Sequence, residues 1–250
     1  MVTGLRPFLE IKIFIKLGEN SMKKNFLSLL VLASILYVME PKNLYSNELS
    51  GYLEGQFSRI EVEDVDASTS VSSAGFNVAA TAIAEYEEAL GLGLEAGISN
   101  LGNSGFRLGL SLTSFEAELE AIDVSAALSF NGTVLASARG RVTADELRNV
   151  GVDADNEVKL FLANGYYDFK SESKLIPFIG LGVGYADIEY AKDNEMAFAG
   201  HGGFNYALSE NTYAGLRGSY YQIEGPTDSL GIQYDDVKAW SIGLSIGMKF

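Results

Sequence analysis

From Val237 to Phe250 every second residue belongs to one of two sets. Lys238, Trp240, Ile242, Leu244, Ile246, Met248 and Phe250 make one face, and Val237, Ala239, Ser241, Gly243, Ser245, Gly247 and Lys249 make the other. A period of two is the mark of a β-strand, and here one face is bulky and apolar while the other is small or polar. The same split separates Leu90, Leu92, Leu94, Ala96 and Ile98 from Ala89, Gly91, Gly93, Glu95 and Gly97. It separates Phe106, Leu108, Leu110 and Leu112 from Arg107, Gly109, Ser111 and Thr113, and Ile179, Leu181, Val183 and Tyr185 from Gly180, Gly182, Gly184 and Ala186. In a soluble barrel the bulky set would fill the interior and charges would cover the outside. So many large side chains do not fit inside a small barrel. Turned outward to lipid, with the small and polar set inward, both faces are satisfied.

The pattern yields eight strand candidates, at Gly51–Ile60, Ala89–Ile98, Gly105–Phe115, Glu157–Phe169, Ile176–Tyr190, Met196–Ala207, Thr212–Glu224 and Val237–Phe250. Each approaches or exceeds the roughly 9 to 11 residues that a tilted strand needs to cross a bilayer. Connections alternate between short turns (Ser99–Ser104, Lys170–Leu175, Leu208–Asn211) and longer loops (Glu61–Glu88, Glu116–Asn156, Gly225–Asp236), with Ala191–Glu195 the one short member of the second group. The expected fold is therefore all-β, an eight-stranded antiparallel up-and-down transmembrane β-barrel with both termini in the periplasm. Asn131-Gly132, between Leu128-Ser-Phe130 and Thr133-Val-Leu135, is a hairpin signal. It marks either an extracellular flap or two further strands that would make the barrel ten. Thr143-Ala-Asp-Glu146 has capping-box spacing and predicts a short helix through Asn149.

Residues 1–46 read as address. Lys23 and Lys24 precede the apolar run Phe26–Val38, which is too short to span a bilayer as a helix and fits a signal peptide over 22–46, with Ser46 a plausible cleavage point and Ala33 a weaker one. Residues 1–21 read as a non-native extension ahead of an initiator at Met22, although Ile11–Leu17 also alternates like a strand. The barrel domain is then 47–250. With 47% apolar residues the chain is not disordered, and with no cysteine it has no disulfide, thiolate metal site or Cys nucleophile. A formal charge of −15 argues against nucleic acid as a partner.

Asn164-Gly-Tyr-Tyr-Asp-Phe169, Pro177-Phe-Ile-Gly-Leu-Gly-Val-Gly-Tyr-Ala186 and a final strand closing on Phe250 resemble the small OmpA/OmpX-like outer-membrane barrels, most of all their alphaproteobacterial surface-antigen branch. The resemblance covers about Gly51–Phe250 and is specific only in its second half. It implies a Gram-negative outer-membrane protein with a structural or surface-exposed, antigen- or adhesion-like role. It also implies that Trp240, Ile242, Leu244, Ile246, Met248 and Phe250 form the signal read by the outer-membrane assembly machinery. Outer-membrane lipid is the surrounding partner.

The inward phase holds Glu54, Gln56, Ser58, Glu95, Arg107, His201, Arg217 and Lys249. A barrel of this size is filled by side chains, so these residues are expected to pair as a polar plug. The alternative is a narrow porin-like channel, gated when Glu54 or Glu95 exchanges partners with Arg107 or Arg217. A more remote alternative is a lipid-modifying enzyme with His201, the one imidazole of the chain, as its base. The reading adopted is non-enzymatic, with no cofactor, metal or catalytic residue. Tyr52, Tyr166, Tyr185, Tyr190, Tyr206, Tyr213, Tyr220 and Tyr221 are expected in the interfacial girdle, with Trp240 at the outer rim. The outer loops and their shoulders carry 24 acids against 4 bases. This crown reads as a solvated anionic face, or as a surface for a basic extracellular partner or for divalent cations, although no calcium-loop pattern is present.

Overall fold

The computed structural model describes residues 49–250 except 102–103, 152–154, 170–172, 190 and 228–232. The extension, the signal peptide, its cleavage site and Tyr190 lie outside the described residues. The strands are β1 (Ser50–Val62), β2 (Val65–Ser73), β3 (Phe76–Tyr86), β4 (Ala89–Leu101), β5 (Phe106–Ala117), β6 (Leu119–Phe130) and β7 (Thr133–Thr143). After one helical turn, α1 (Ala144–Asn149), come β8 (Asn156–Asp168), β9 (Leu175–Ile188), β10 (Glu195–Ala207), β11 (Thr212–Ile223), β12 (Gln233–Tyr234) and β13 (Val237–Lys249).

Eight of these close a barrel in the order β1-β13-β11-β10-β9-β8-β5-β4, antiparallel throughout. Closure reaches the last residue, where Gly51 and Phe250 exchange backbone hydrogen bonds of 2.9 Å. All eight anticipated strands are present in this barrel. The outer wall is the bulky phase, with Leu110 66%, Leu181 75%, Leu244 64% and Ile246 65% exposed. An apolar band on a sheet without edges is what lets backbone polar groups cross a bilayer paired.

The Asn131-Gly132 hairpin does not add barrel strands. It joins β6 to β7 in a second sheet, ordered β12-β2-β3-β6-β7, so the barrel has eight strands and not ten. Asn131 (φ 47°) and Gly132 (φ 82°) are both left-handed, as a two-residue hairpin turn of this kind requires. The connection from Glu61 to Glu88 also holds an unanticipated hairpin, β2–β3, turned at Ala74 (φ 51°) and Gly75 (φ 83°). Its Ser/Thr/Ala-rich strand β2 lacks the bulky alternation that marks the barrel strands, and alanine is an uncommon residue at a left-handed position. The anticipated capping box is present at Thr143 and Glu146.

The second sheet is amphipathic. Paired residues share a face, so Val71, Val78 and Leu128 lie on one side with Ala80, Ala126 and Ala138, whereas Asn77, Ser129, Asp123 and Arg141 lie on the other. Arg141 there bonds Glu85 at 2.6 Å and Asp123 at 2.9 Å, and holds the Glu85 carboxyl below its ordinary range. The end of the barrel that bears this sheet is the hairpin end. The end with Ser50 and Phe250 is the terminal end.

Candidate functional site

The inward phase of the barrel strands converges on a buried knot near the terminal end. Glu54 on β1 and Glu95 on β4 are direct cross-strand partners, 1% and 3% exposed. Like charges so placed repel. Arg217, reaching from β11, enters between them, with Nη2 donating to Glu54 Oε1 at 2.6 Å and Nη1 to Glu95 Oε2 at 3.2 Å. Three phenols complete the carboxylates: Tyr52 Oη donates to Glu95 Oε1 at 2.6 Å, Tyr166 Oη to Glu95 Oε2 at 2.6 Å and Tyr213 Oη to Glu54 Oε2 at 2.7 Å. Buried charge is tolerable when it is paired and hydrogen-bonded in this way.

Arg107 is held differently. It is 1% exposed and lies 3.3 Å from Asp168 and 3.8 Å from Glu54 as an ion pair. Its guanidinium stands over the Tyr166 ring at 4.3 Å, with Tyr52 at 5.2 Å and Phe178 at 5.3 Å, a cation among ring faces. Gln56, half-buried, accepts from Arg217 Nη1 at 3.4 Å. The void left among Glu54, Gln56, Glu95, Arg217 and their neighbours is about 10 Å³, room for about one water. Ser58 is buried on the same face, and Lys249 lies 6.0 Å from the Tyr213 ring.

His201 extends the knot toward the barrel middle. Its Nδ1 contacts Ser219 Oγ at 2.9 Å and its Nε2 contacts Asn164 Oδ1 at 3.3 Å. Because an amide oxygen only accepts, the ring carries its proton on Nε2 and accepts a hydrogen bond from the Ser219 hydroxyl at Nδ1. Asn164 Nδ2 passes the chain on to Ser111 Oγ at 2.8 Å and Glu95 Oε2 at 3.2 Å. Both imidazole nitrogens are thus engaged within the network.

Half of the expected girdle belongs here instead. Tyr52, Tyr166, Tyr213 and Tyr221 are 1%, 2%, 5% and 3% exposed, inside the barrel, while Tyr185, Tyr206 and Tyr220 face outward. The reason is phase. Tyr52 is two residues from Glu54, Tyr166 two from Asn164, and Tyr213 and Tyr221 each four from Arg217, so each shares the inward face. The same rule locates Asn164, Asp168 and Phe178, which the sequence reading missed. Glycine supplies the room. A Cβ on Gly180 would collide with the Tyr166 ring, one on Gly247 with the Tyr213 ring, and one on Gly109 with the Tyr52 hydroxyl. Gly180 and Gly247 are therefore recesses for rings of the adjacent strands, and Gly109 makes room for a hydroxyl from two strands away.

Toward the hairpin end the inward residues change character. Ile60, Val62, Phe115, Val158, Leu160 and Ile223 form a buried apolar cluster with several alanines. Val62, Phe115, Val158, Leu160 and Ile223 line a cavity of about 120 Å³. Val65, Tyr86, Pro226 and Tyr234 also line it, and Tyr221 marks its boundary with the knot below.

The six residues of the expected assembly signal, Trp240, Ile242, Leu244, Ile246, Met248 and Phe250, all face outward, between 43% and 65% exposed. Around the crown, Arg148 pairs with Asp145 and Asp155, and Arg59 with Glu88. Asp153 and Asp228 lie outside the described residues.

No protein-family model matches the chain, and no curated protein does. Among solved structures it is similar to Neisserial surface protein A, at 12% identity and TM-score 0.48, over 80% of this chain and 97% of that one. It is similar to the outer membrane protein OprG from Pseudomonas aeruginosa, at 16% identity and TM-score 0.46, over 80% and 95%. It is likewise similar to the outer membrane protein AlkL, at 14% identity and TM-score 0.43, over 80% and 90%.

Proposed function

We propose that this protein is a non-conducting, non-enzymatic β-barrel of the outer membrane whose task is performed at the cell surface, in an antigen- or adhesion-like role. The observation that carries this reading is the knot of Arg217, Glu54 and Glu95 with its three tyrosines, which ties β1 and β4 to β8 and β11 across the lumen and leaves among its members a void of only about 10 Å³. The outward apolar wall supports residence in a bilayer, and the outward register of Trp240 to Phe250 supports their reading as the assembly signal. The engagement of both His201 nitrogens supports a structural imidazole. On this reading the acidic crown and the second sheet face the medium, where a basic partner or divalent cations would meet them.

Planar-bilayer recording of the refolded barrel tests the plug. The expected result is no unitary current from the wild type, and discrete current steps in the wild type would overturn it. An epitope inserted between Asn131 and Gly132 should be labelled by antibody on intact cells, and labelling only after lysis would place the hairpin end in the periplasm instead.

A further inference from the structure

We infer that the cavity at the hairpin end is a binding site for a small, uncharged, apolar molecule, of about the size of a single aromatic ring. Its walls include Val62, Phe115, Val158, Leu160, Ile223 and Ala239, all buried and apolar, and the polar side chains of Asn156 and Glu189 join the lining beside the rings of Tyr86, Tyr221 and Tyr234. A water needs two to four polar partners to be a good occupant, so the apolar stretch of this wall favours hydrocarbon over water. Its volume of about 120 Å³ is comparable to that of a dry cavity in another protein, about 150 Å³, that holds benzene. The room arises because an eight-stranded barrel is only just wide enough for its side chains to fill, and Ala117 and Ala239 stand where longer residues would close it.

The mouth sets the charge of the ligand. Tyr86 stands there, its phenol pushed up to about 12 by burial, so it presents a neutral ring. Val65 and Tyr86 belong to the apolar face of the second sheet, in phase with Ala67 on β2 and with Ala84 and Ala82 on β3. That apolar face leads to the cavity. Glu189 lines the cavity, and Glu61, Glu63, Asp64, Glu87 and Glu88 line the neighbouring open cleft, which Val62 and Tyr86 share. An anionic amphiphile such as a carboxylate would meet these like charges and find no cation among the described residues of the cavity wall. The ligand class is therefore neutral hydrocarbon-like molecules, and not fatty acids.

The test is a toluene titration of the refolded full-length barrel in zwitterionic lipid nanodiscs, followed by methyl NMR. Saturable shifts are expected at Val158, Leu160, Ile223 and Val237, with only a linear drift at the lipid-facing Leu244 and Ile246. Ala239→Leu, which fills the cavity, should weaken binding at least tenfold. Val158→Thr, which keeps the volume and makes the wall polar, should weaken it several-fold. Heat-modifiable gel mobility reports whether each variant is folded. Hexanoate at the same concentrations should give no saturable shift. The inference is overturned if the cavity methyls of the wild type drift linearly like the lipid-facing ones, if both folded variants bind toluene as tightly as wild type, or if hexanoate binds as well as toluene.

Discussion

The two ends of one lumen are built from the same strands in the same inward phase, yet they solve the filling problem in opposite ways. Near the terminal end long polar side chains fill the space, and each buried charge is held by an opposite one, by phenols or by ring faces. Near the hairpin end the lining is mostly apolar and does not meet across the barrel, and a cavity of about 120 Å³ remains. The difference teaches that inward alternation fixes which residues enter a barrel, while side-chain length fixes whether the barrel is full. The full end carries the proposed closure, and the unfilled end carries the proposed site.

Removing the cation from the full end should have the largest effect. Arg217→Ala leaves two adjacent buried carboxylates, and the refolded barrel should lose about 3–5 kcal/mol in urea unfolding. A loss under about 1 kcal/mol would mean that water already reaches the knot. At the unfilled end, Leu160→Ala enlarges an existing cavity and should cost about 2–4 kcal/mol by the same measurement. The addition of one carbon separates the ends further. Gly180→Ala drives a methyl into the Tyr166 ring and should cost about 1–3 kcal/mol. Ala239→Leu, three carbons larger, should change stability by no more than about 1 kcal/mol because the cavity receives them. If the two substitutions cost the same, the contrast between the ends fails.

The smallest effect lies outside both ends. Arg141 lowers the Glu85 carboxyl below its ordinary 4.5, so the contact stabilises the second sheet fully above that value. The stabilisation is lost as pH falls through the lowered folded-state value. Amide protection factors in β3 and β6, taken relative to the intrinsic exchange rate at each pH, should therefore fall on acidification below 4.5, and should lose that response in Arg141→Ala, while barrel protection factors stay unchanged.

Much of the wall was legible in the sequence because lipid on one side and a narrow lumen on the other enforce a strict period of two. Leu244 and Gly243 can be sorted without any structure. The hairpin of β6 and β7 was legible from Asn131-Gly132, but its place was not, since a local turn signal does not state which sheet its strands join. The β2–β3 hairpin was missed because β2 is built of small residues, mostly exposed, without the bulky alternation that betrays a barrel strand. In the site, Glu54, Glu95, Arg107, His201 and Arg217 were legible as inward polar residues. Tyr52, Tyr166 and Tyr213 were not, since a tyrosine near a strand end suits the interface as well as the lumen, and only strict phase decides.

By itself the sequence determined the eight strands, the outward apolar wall and part of the polar set that enters the lumen, because these follow from alternation along one strand at a time. Only the tertiary structure decided that Arg217 stands between Glu54 and Glu95, that the glycine faces receive tyrosine rings, and that the hairpin end stays unfilled. Those outcomes depend on curvature and register across the barrel, which bring residues as far apart in sequence as Glu54 and Arg217 within 2.6 Å, and no period along a single strand contains that information.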